Sequence, residues 1–199
     1  MKKKSNMRLC AIDTETTHID FLKAKAVELT ILPLTPEFEP DETIKPLNCL
    51  VNPGEMELDL GKEALEFNGI NRKQILTEGV NSDILGKHIR KWMHTYKITS
   101  IEPLAHNWVY DRVVLRNSLS FEDVESIFYR RAKDSHTAAV FVNDVYKSKG
   151  KEKPFKKTNL SAMAEYFGMD TKGAHRALKD CLMSAFVYKN LMNMIKELK

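Results

Sequence analysis

Cysteine is scarce in this chain, and the three present, Cys10, Cys49 and Cys181, are far apart and odd in number. No C-x-x-C pair and no Cys/His spacing suited to zinc occurs. Neither a disulfide framework nor a zinc site is expected, and a reducing intracellular compartment fits. Long apolar runs are lacking as well. The first, Leu9-Cys10-Ala11-Ile12, follows a lysine cluster but stops at Asp13, too early for the apolar region of a secretory signal. Nothing approaches the length of a membrane span. A soluble, cytoplasmic protein is expected.

A strong excess of either charge is also missing. Thirty-one Lys and Arg against 27 Asp and Glu give a net charge of +4, too mild to identify a nucleic-acid partner. The distribution says more. Lys2, Lys3 and Lys4 make residues 1–6 a basic tail. Lys147, Lys149, Lys151, Lys153, Lys156 and Lys157 crowd residues 147–158, which with Gly150 and Pro154 read as a mobile loop. Such runs are commonly solvated faces. At 199 residues and 43% hydrophobic, the chain can bury one substantial core, and it shows no repeat or internal boundary. A single domain over residues 1–199 is expected.

Apolar runs at residues 8–15, 26–32 and 47–51 read as strands, the second ended by Pro33 and the third by Asn52-Pro53-Gly54. Short helical pieces flank Asn68-Gly69-Ile70. Residues 81–97 carry one apolar stripe behind a polar cap, which predicts an amphipathic helix. Ile101–Ala105 reads as a buried strand, and His106-Asn107 could cap the helix after it. A further strand is expected near Ser126–Tyr129, then helices over about 135–146, Asn159–Phe167 and from His175 onward. Strands first and alternation later indicate an α/β fold, a mixed central sheet flanked by helices.

Within this frame two acids, Asp13 and Glu15, end the first strand. Residues two apart on a strand share a face, so the carboxylates stand side by side. Adjacent carboxylates repel, and a divalent cation between them would relieve the repulsion. An acidic turn at a strand end is the plainer reading of such a pair alone. Asp111 lies four residues after Asn107, on one face of a helix start, where the helix dipole by itself favours an acid. His175 and Asp180 are five apart, or about 140° around a helix. Both can face one site only if His175 precedes the regular helix, and Gly173 permits that bend.

Asp13-Thr14-Glu15-Thr16-Thr17, Ala105-His106-Asn107-x-x-x-Asp111 and His175-Arg176-Ala177-Leu178-x-Asp180 resemble, in order and spacing, the three motifs of the DEDDh (DnaQ-like) 3′→5′ exonucleases. The continuations Arg112-Val113-Val114-Leu115 and Asp180-Cys181 are most similar to the exonuclease X branch. The resemblance runs from about residue 7 to residue 195 and implies a ribonuclease H-like fold releasing mononucleotides from 3′ ends. It implies two Mg²⁺ or Mn²⁺ ions on Asp13, Glu15, Asp111 and Asp180. Histidine titrates near neutrality, and His175 would be the general base. Thr14, Thr16, His18, Ile19, Asn107 and Trp108 would contact the terminal nucleotide.

His18 replaces the family's usual glycine, where it could stack on the nucleotide or simply face solvent. Trp108 divides between core and nucleotide contact, and Tyr110 is read as core packing. The implied partner is a DNA 3′ end, single-stranded by preference, with short RNA as the alternative. A catalytically silent nucleic-acid-binding module is the third reading, disfavoured because all five catalytic positions are intact. No membrane partner is implied, and oligomeric state is left open.

Overall fold

The structure is a computed structural model that describes residues 6–197. Lys2, Lys3 and Lys4 of the basic tail lie outside the described residues. Among those described, six strands form one sheet: β1 (Met7–Thr16), β2 (Ala26–Pro33), β3 (Leu47–Asn52), β4 (Val80–Asn81), β5 (Ser100–Ala105) and β6 (Lys133–Asp134). The helices are α1 (Glu55–Leu60), α2 (Lys62–Asn68), α3 (Arg72–Glu78), α4 (Ser82–Thr95), α5 (Trp108–Ser118), α6 (Phe121–Ile127), α7 (Ser135–Ser148), α8 (Leu160–Tyr166) and α9 (Ala177–Glu197). None is long and apolar enough to cross a membrane.

The sheet order is β4-β3-β2-β1-β5-β6. β1 runs antiparallel to β2 and parallel to β5, so the sheet is mixed as expected. Alternation along β1 divides the core. Cys10 and Ile12 join Leu85, Ile89 and Met93 of α4, Val114 and Leu115 of α5, and Val124 and Ile127 of α6. Ala11 points to the other face, where Cys181 and Ala185 of α9 pack with Leu104. With a period of two, Asp13 and Glu15 share the α9 face, and Thr14 shares the α5 face. A third cluster joins Ala139 and Val142 of α7, Met163 and Ala164 of α8, and Met183, Val187 and Leu191 of α9.

Three expectations need correction. Residues 121–127 are helical where a strand was expected from Ser126, and only Phe128 bridges in parallel to Ile101. The Ser120 hydroxyl accepts from the Asp123 N–H at 3.0 Å, and Val124 and Ile127 are buried one turn apart, which favours the helix. The lysine-rich segment starts inside α7, since Lys147 and Ser148 are helical. Near its centre it is anchored at one residue: Phe155 is buried, its N–H donates to Asn143 Oδ1 at 3.1 Å, and its carbonyl accepts from Asn143 Nδ2 at 3.0 Å. Finally, the last helix begins at Ala177, two residues after His175.

Candidate active site

The carboxyl ends of parallel strands β1 and β5 open onto the same side of the sheet, the usual place for a ligand in such folds. There β1 presents Asp13 and Glu15 to the α9 face. Asp180, in the first turn of α9, meets them, and ligand oxygens of the three carboxylates lie within 4.8 Å of one another. Asp111 approaches from α5. Its Oδ1 accepts from the Thr14 hydroxyl at 2.8 Å and the Thr14 N–H at 3.1 Å, which ties α5 to β1.

This crowding has an electrostatic consequence. Burial, then the charges of Asp111, Asp180, Glu15 and Glu28, hold the Asp13 carboxyl well above the usual carboxylate range. Burial and the neighbouring acids push Glu15 up to about 8. Asp111 rises to about 7 through burial, against the two Thr14 hydrogen bonds that favour its charged form. Asp180 rises to about 6 through burial, while the His175 charge and a hydrogen bond from the His175 backbone act the other way. Buried Asp180 Oδ1 has no hydrogen-bond partner among the described residues. Three hard oxygen donors within 4.8 Å, with one Asp180 oxygen left unpaired, fit a divalent cation such as Mg²⁺ or Mn²⁺.

His175 adopts φ of 65°, left-handed for a non-glycine residue, and so lies outside the regular helix as its spacing with Asp180 requires. Gly173, at φ 84°, makes the bend before it. The His175 ring is exposed, and its centroid lies 4.8 Å from that of Phe67.

A cleft of about 690 Å³ covers this constellation, and Thr14, Thr16, His18, Ile19 and Asn107 all line it. Ile19 is 93% exposed, free to meet a flat apolar ligand. The Thr16 hydroxyl donates to the His18 carbonyl at 2.9 Å, so Thr16 braces the turn that carries His18. Asn107 has φ of 75° and makes no capping hydrogen bond, contrary to expectation. Asp134 takes that role. Its Oδ2 accepts from the Trp108 N–H at 2.7 Å and its Oδ1 from the Asn107 N–H at 3.3 Å, leaving the Asn107 side chain to the cleft.

Trp108 does not reach the site. It is buried in the core with its ring 5.9 Å from that of Phe128 and does not line the cleft, so of its two expected roles the structure favours core packing over nucleotide contact. Position 108 starts α5 on the face turned to the sheet. Tyr110 is more than core packing: it lines the cleft, and its hydroxyl donates to the His18 carbonyl at 3.2 Å.

Sequence reasoning missed the opposite wall, formed by Leu60, Glu63, Ala64, Phe67 and Asn68 of α1 and α2. The only hint was a phenylalanine beside the Asn68-Gly69-Ile70 turn, and it becomes informative once Phe67 is known to be 71% exposed. His106 was missed as a lining residue too. Its Nδ1 lies 2.8 Å from the Ser135 hydroxyl, and burial lowers its pKa to about 4, so the ring is neutral.

The family model described as Exonuclease (RNase_T) matches residues 10–188. No curated protein sequence matches the chain. Among solved structures, the chain is similar to cell-death related nuclease 4 (CRN-4), at 20% identity and TM-score 0.69, over 96% of this chain and 66% of that one. It is similar to E. coli exonuclease I in complex with a dT13 oligonucleotide, at 16% identity and TM-score 0.71, over 96% of this chain and 42% of that one. The zinc-bound E. coli exonuclease I complex with single-stranded DNA gives 15% identity and TM-score 0.66, over 98% and 42%. The chain thus spans about two thirds of one relative and two fifths of the other. At these identities the likeness carries the fold, that of the ribonuclease H-like exonucleases.

Proposed function

Since this chain belongs to the exonuclease family whose model spans residues 10–188, we propose that it is a metal-dependent 3′→5′ exonuclease releasing mononucleotides from single-stranded DNA ends. The observation that carries this reading is the meeting of Asp13, Glu15 and Asp180 within 4.8 Å, beneath a cleft that His175 and Asp111 also line.

Asp13, Glu15 and Asp180 would hold one divalent cation, and Asp111 with Asp13 a second. Two such ions, when bound, supply Lewis-acid stabilisation of charge on the attacking and leaving oxygens of a phosphodiester. The chain's own groups do the rest. His175, exposed at the cleft edge, takes the proton from the attacking water on a ring nitrogen. The Asp180 carboxylate accepts from the His175 backbone and so keeps the base beside the acids. Asn107, with its side chain released from capping, and His18 contact the sugar and phosphate of the terminal nucleotide. Ile19 and Phe67, both highly exposed and both lining the cleft, face its base. Thr14 and Thr16 serve by bracing Asp111 and the His18 turn.

The test is incubation with matched 3′-labelled and 5′-labelled DNA and RNA oligonucleotides in the presence of Mg²⁺ or Mn²⁺. Release of the 3′ label as mononucleotide, with a ladder on the 5′-labelled DNA strand, is expected. Exclusive cleavage of RNA would replace DNA as substrate. No release under any condition would leave only a silent binding module.

A further inference from the structure

We propose that Glu28 and Arg176, which lie outside the five-residue constellation, form a positioning pair that fixes His175 over the carboxylates; this rests on the exonuclease reading. Glu28 is the one acid in the mostly apolar strand Ala-Val-Glu-Leu-Thr-Ile-Leu, where its side chain is almost completely buried. In the antiparallel register it stands directly opposite Glu15. Arg176 meets it with both arms of the guanidinium, Nε to Oε2 at 3.0 Å and Nη2 to Oε1 at 2.8 Å. The Ala177 N–H donates to the same Oε2 at 3.1 Å, so one carboxylate clamps the two residues that follow His175.

The geometry gives this clamp a purpose. His175 occupies a left-handed conformation that a non-glycine residue keeps only when its surroundings hold it. On one side the chain turns at Gly173. On the other it enters α9 through Arg176 and Ala177, both fastened to a strand in the middle of the sheet. A planar, bidentate fork fixes direction as well as distance, which a lysine would not do. Arg176 also offsets part of the repulsion that the Glu28 charge adds at Glu15. Glu28 and Arg176 are positioning residues, since neither needs to touch the reacting atoms.

The experiment compares Arg176→Met, Arg176→Lys, Glu28→Gln and the Glu28→Gln/Arg176→Met double variant. Steady-state kinetics on an oligothymidylate with saturating Mg²⁺ are read beside amide exchange at Ala177. Each of Arg176→Met and Glu28→Gln should lower kcat about 10- to 100-fold, the range for groups that orient metal-site residues. KM should move less than about twofold, because ground-state binding is untouched. The double variant should be no slower than the worse single, as for two halves of one device. Arg176→Lys keeps the charge and should recover part of the loss, so it decides the matter if Glu28→Gln fails to fold. Unchanged kcat, or a rise in KM at constant kcat, overturns the proposal. The Ala177 amide should exchange at least about tenfold faster in Arg176→Met, as local opening predicts. Unchanged exchange overturns the clamp whether or not the wild type is active. A wild type that releases no nucleotide while Ala177 exchange responds brings down the exonuclease reading alone.

Discussion

Asp13 faces the charges of Asp111, Asp180, Glu15 and Glu28, which with burial hold its carboxyl well above the usual range. Such a residue adds repulsion to the fold that a bound cation would relieve. Asp13→Asn removes one charge while keeping the shape. We expect it to lower metal-dependent nucleotide release by more than about a hundredfold, beyond what outer partners of a metal ligand cost. The same variant should melt higher without metal, by about 2–4 °C for each 1 kcal/mol of repulsion relieved in a chain this size. Labelled-oligonucleotide release and thermal melting in EDTA check both halves. Phe67 makes the opposite kind of contribution, since it is exposed in the cleft and free to stack. Base stacking on an aromatic ring is worth about 1–3 kcal/mol by alanine substitution, so Phe67→Ala should lower kcat/KM about 5- to 150-fold. The shared face of Asp13 and Glu15 and the place of His175 ahead of the last helix were legible because strand period two and the five-residue His–Asp spacing are properties of local geometry, whereas Asp111 stood out only through its resemblance to a family motif. Trp108 was not, because the face of α5 turned to the sheet is decided by tertiary packing. Glu28 left a visible mark, an acid inside an apolar run, but its partner lies 148 residues away.

At the scale of elements, Asp134 does the work that Asn107 was expected to do. Its carboxylate caps α5 through the Trp108 and Asn107 N–H groups, and α7 through the Thr137 N–H at 2.9 Å. One side chain therefore sets the starts of two helices, one of which carries Asp111. Losing an N-cap costs about 1 kcal/mol, so Asp134→Ala should destabilise by about 1–2 kcal/mol or more with both helices affected. Chemical denaturation measures the loss, and an unchanged unfolding midpoint would refute the double cap. The helix starts at Asn81 and the strands of the first half were readable from local signals, whereas α6 was hidden because its four-residue strand-like window overlapped a capped helix. The lysine segment is anchored at two of its residues. Phe155 is locked to Asn143, and the Thr158 hydroxyl lies 3.2 Å from Nε2 of His136, whose ring is 5.5 Å from that of the cleft residue His106. The segment thus ends behind the cleft wall. Replacing Lys151, Lys153, Lys156 and Lys157 with Gln should weaken oligonucleotide binding and flatten its salt slope by about 0.7 for each phosphate no longer neutralised. A slope equal to that of the wild type would make these lysines a solvated face.

Across the whole molecule, the sheet order puts β1 between an antiparallel and a parallel neighbour, with α9 on one face and α5 on the other. That placement gathers Asp13, Glu15 and Asp180 within 4.8 Å, with Asp111 lining the same cleft, and it should couple stability to pH and metal. The folded-state pKa values of Glu15 at about 8, Asp111 at about 7 and Asp180 at about 6 all lie above the ordinary carboxylate range. Between about pH 4 and pH 8 the folded protein therefore holds more protons than the unfolded chain, and stability must fall as pH rises. A divalent cation that took the place of those protons and bound the folded state alone would stabilise it by mass action. The metal-free protein should melt highest near the acid end of this window and progressively lower toward pH 8. Saturating Mg²⁺ or Mn²⁺ should raise Tm most at pH 8 and least near pH 5, where protons already neutralise the cluster. Melting curves across this range, in EDTA and in each metal, read the effect directly. A Tm independent of pH in EDTA, or a metal-induced rise equal at both ends, would mean the acids do not act as one cation-binding unit.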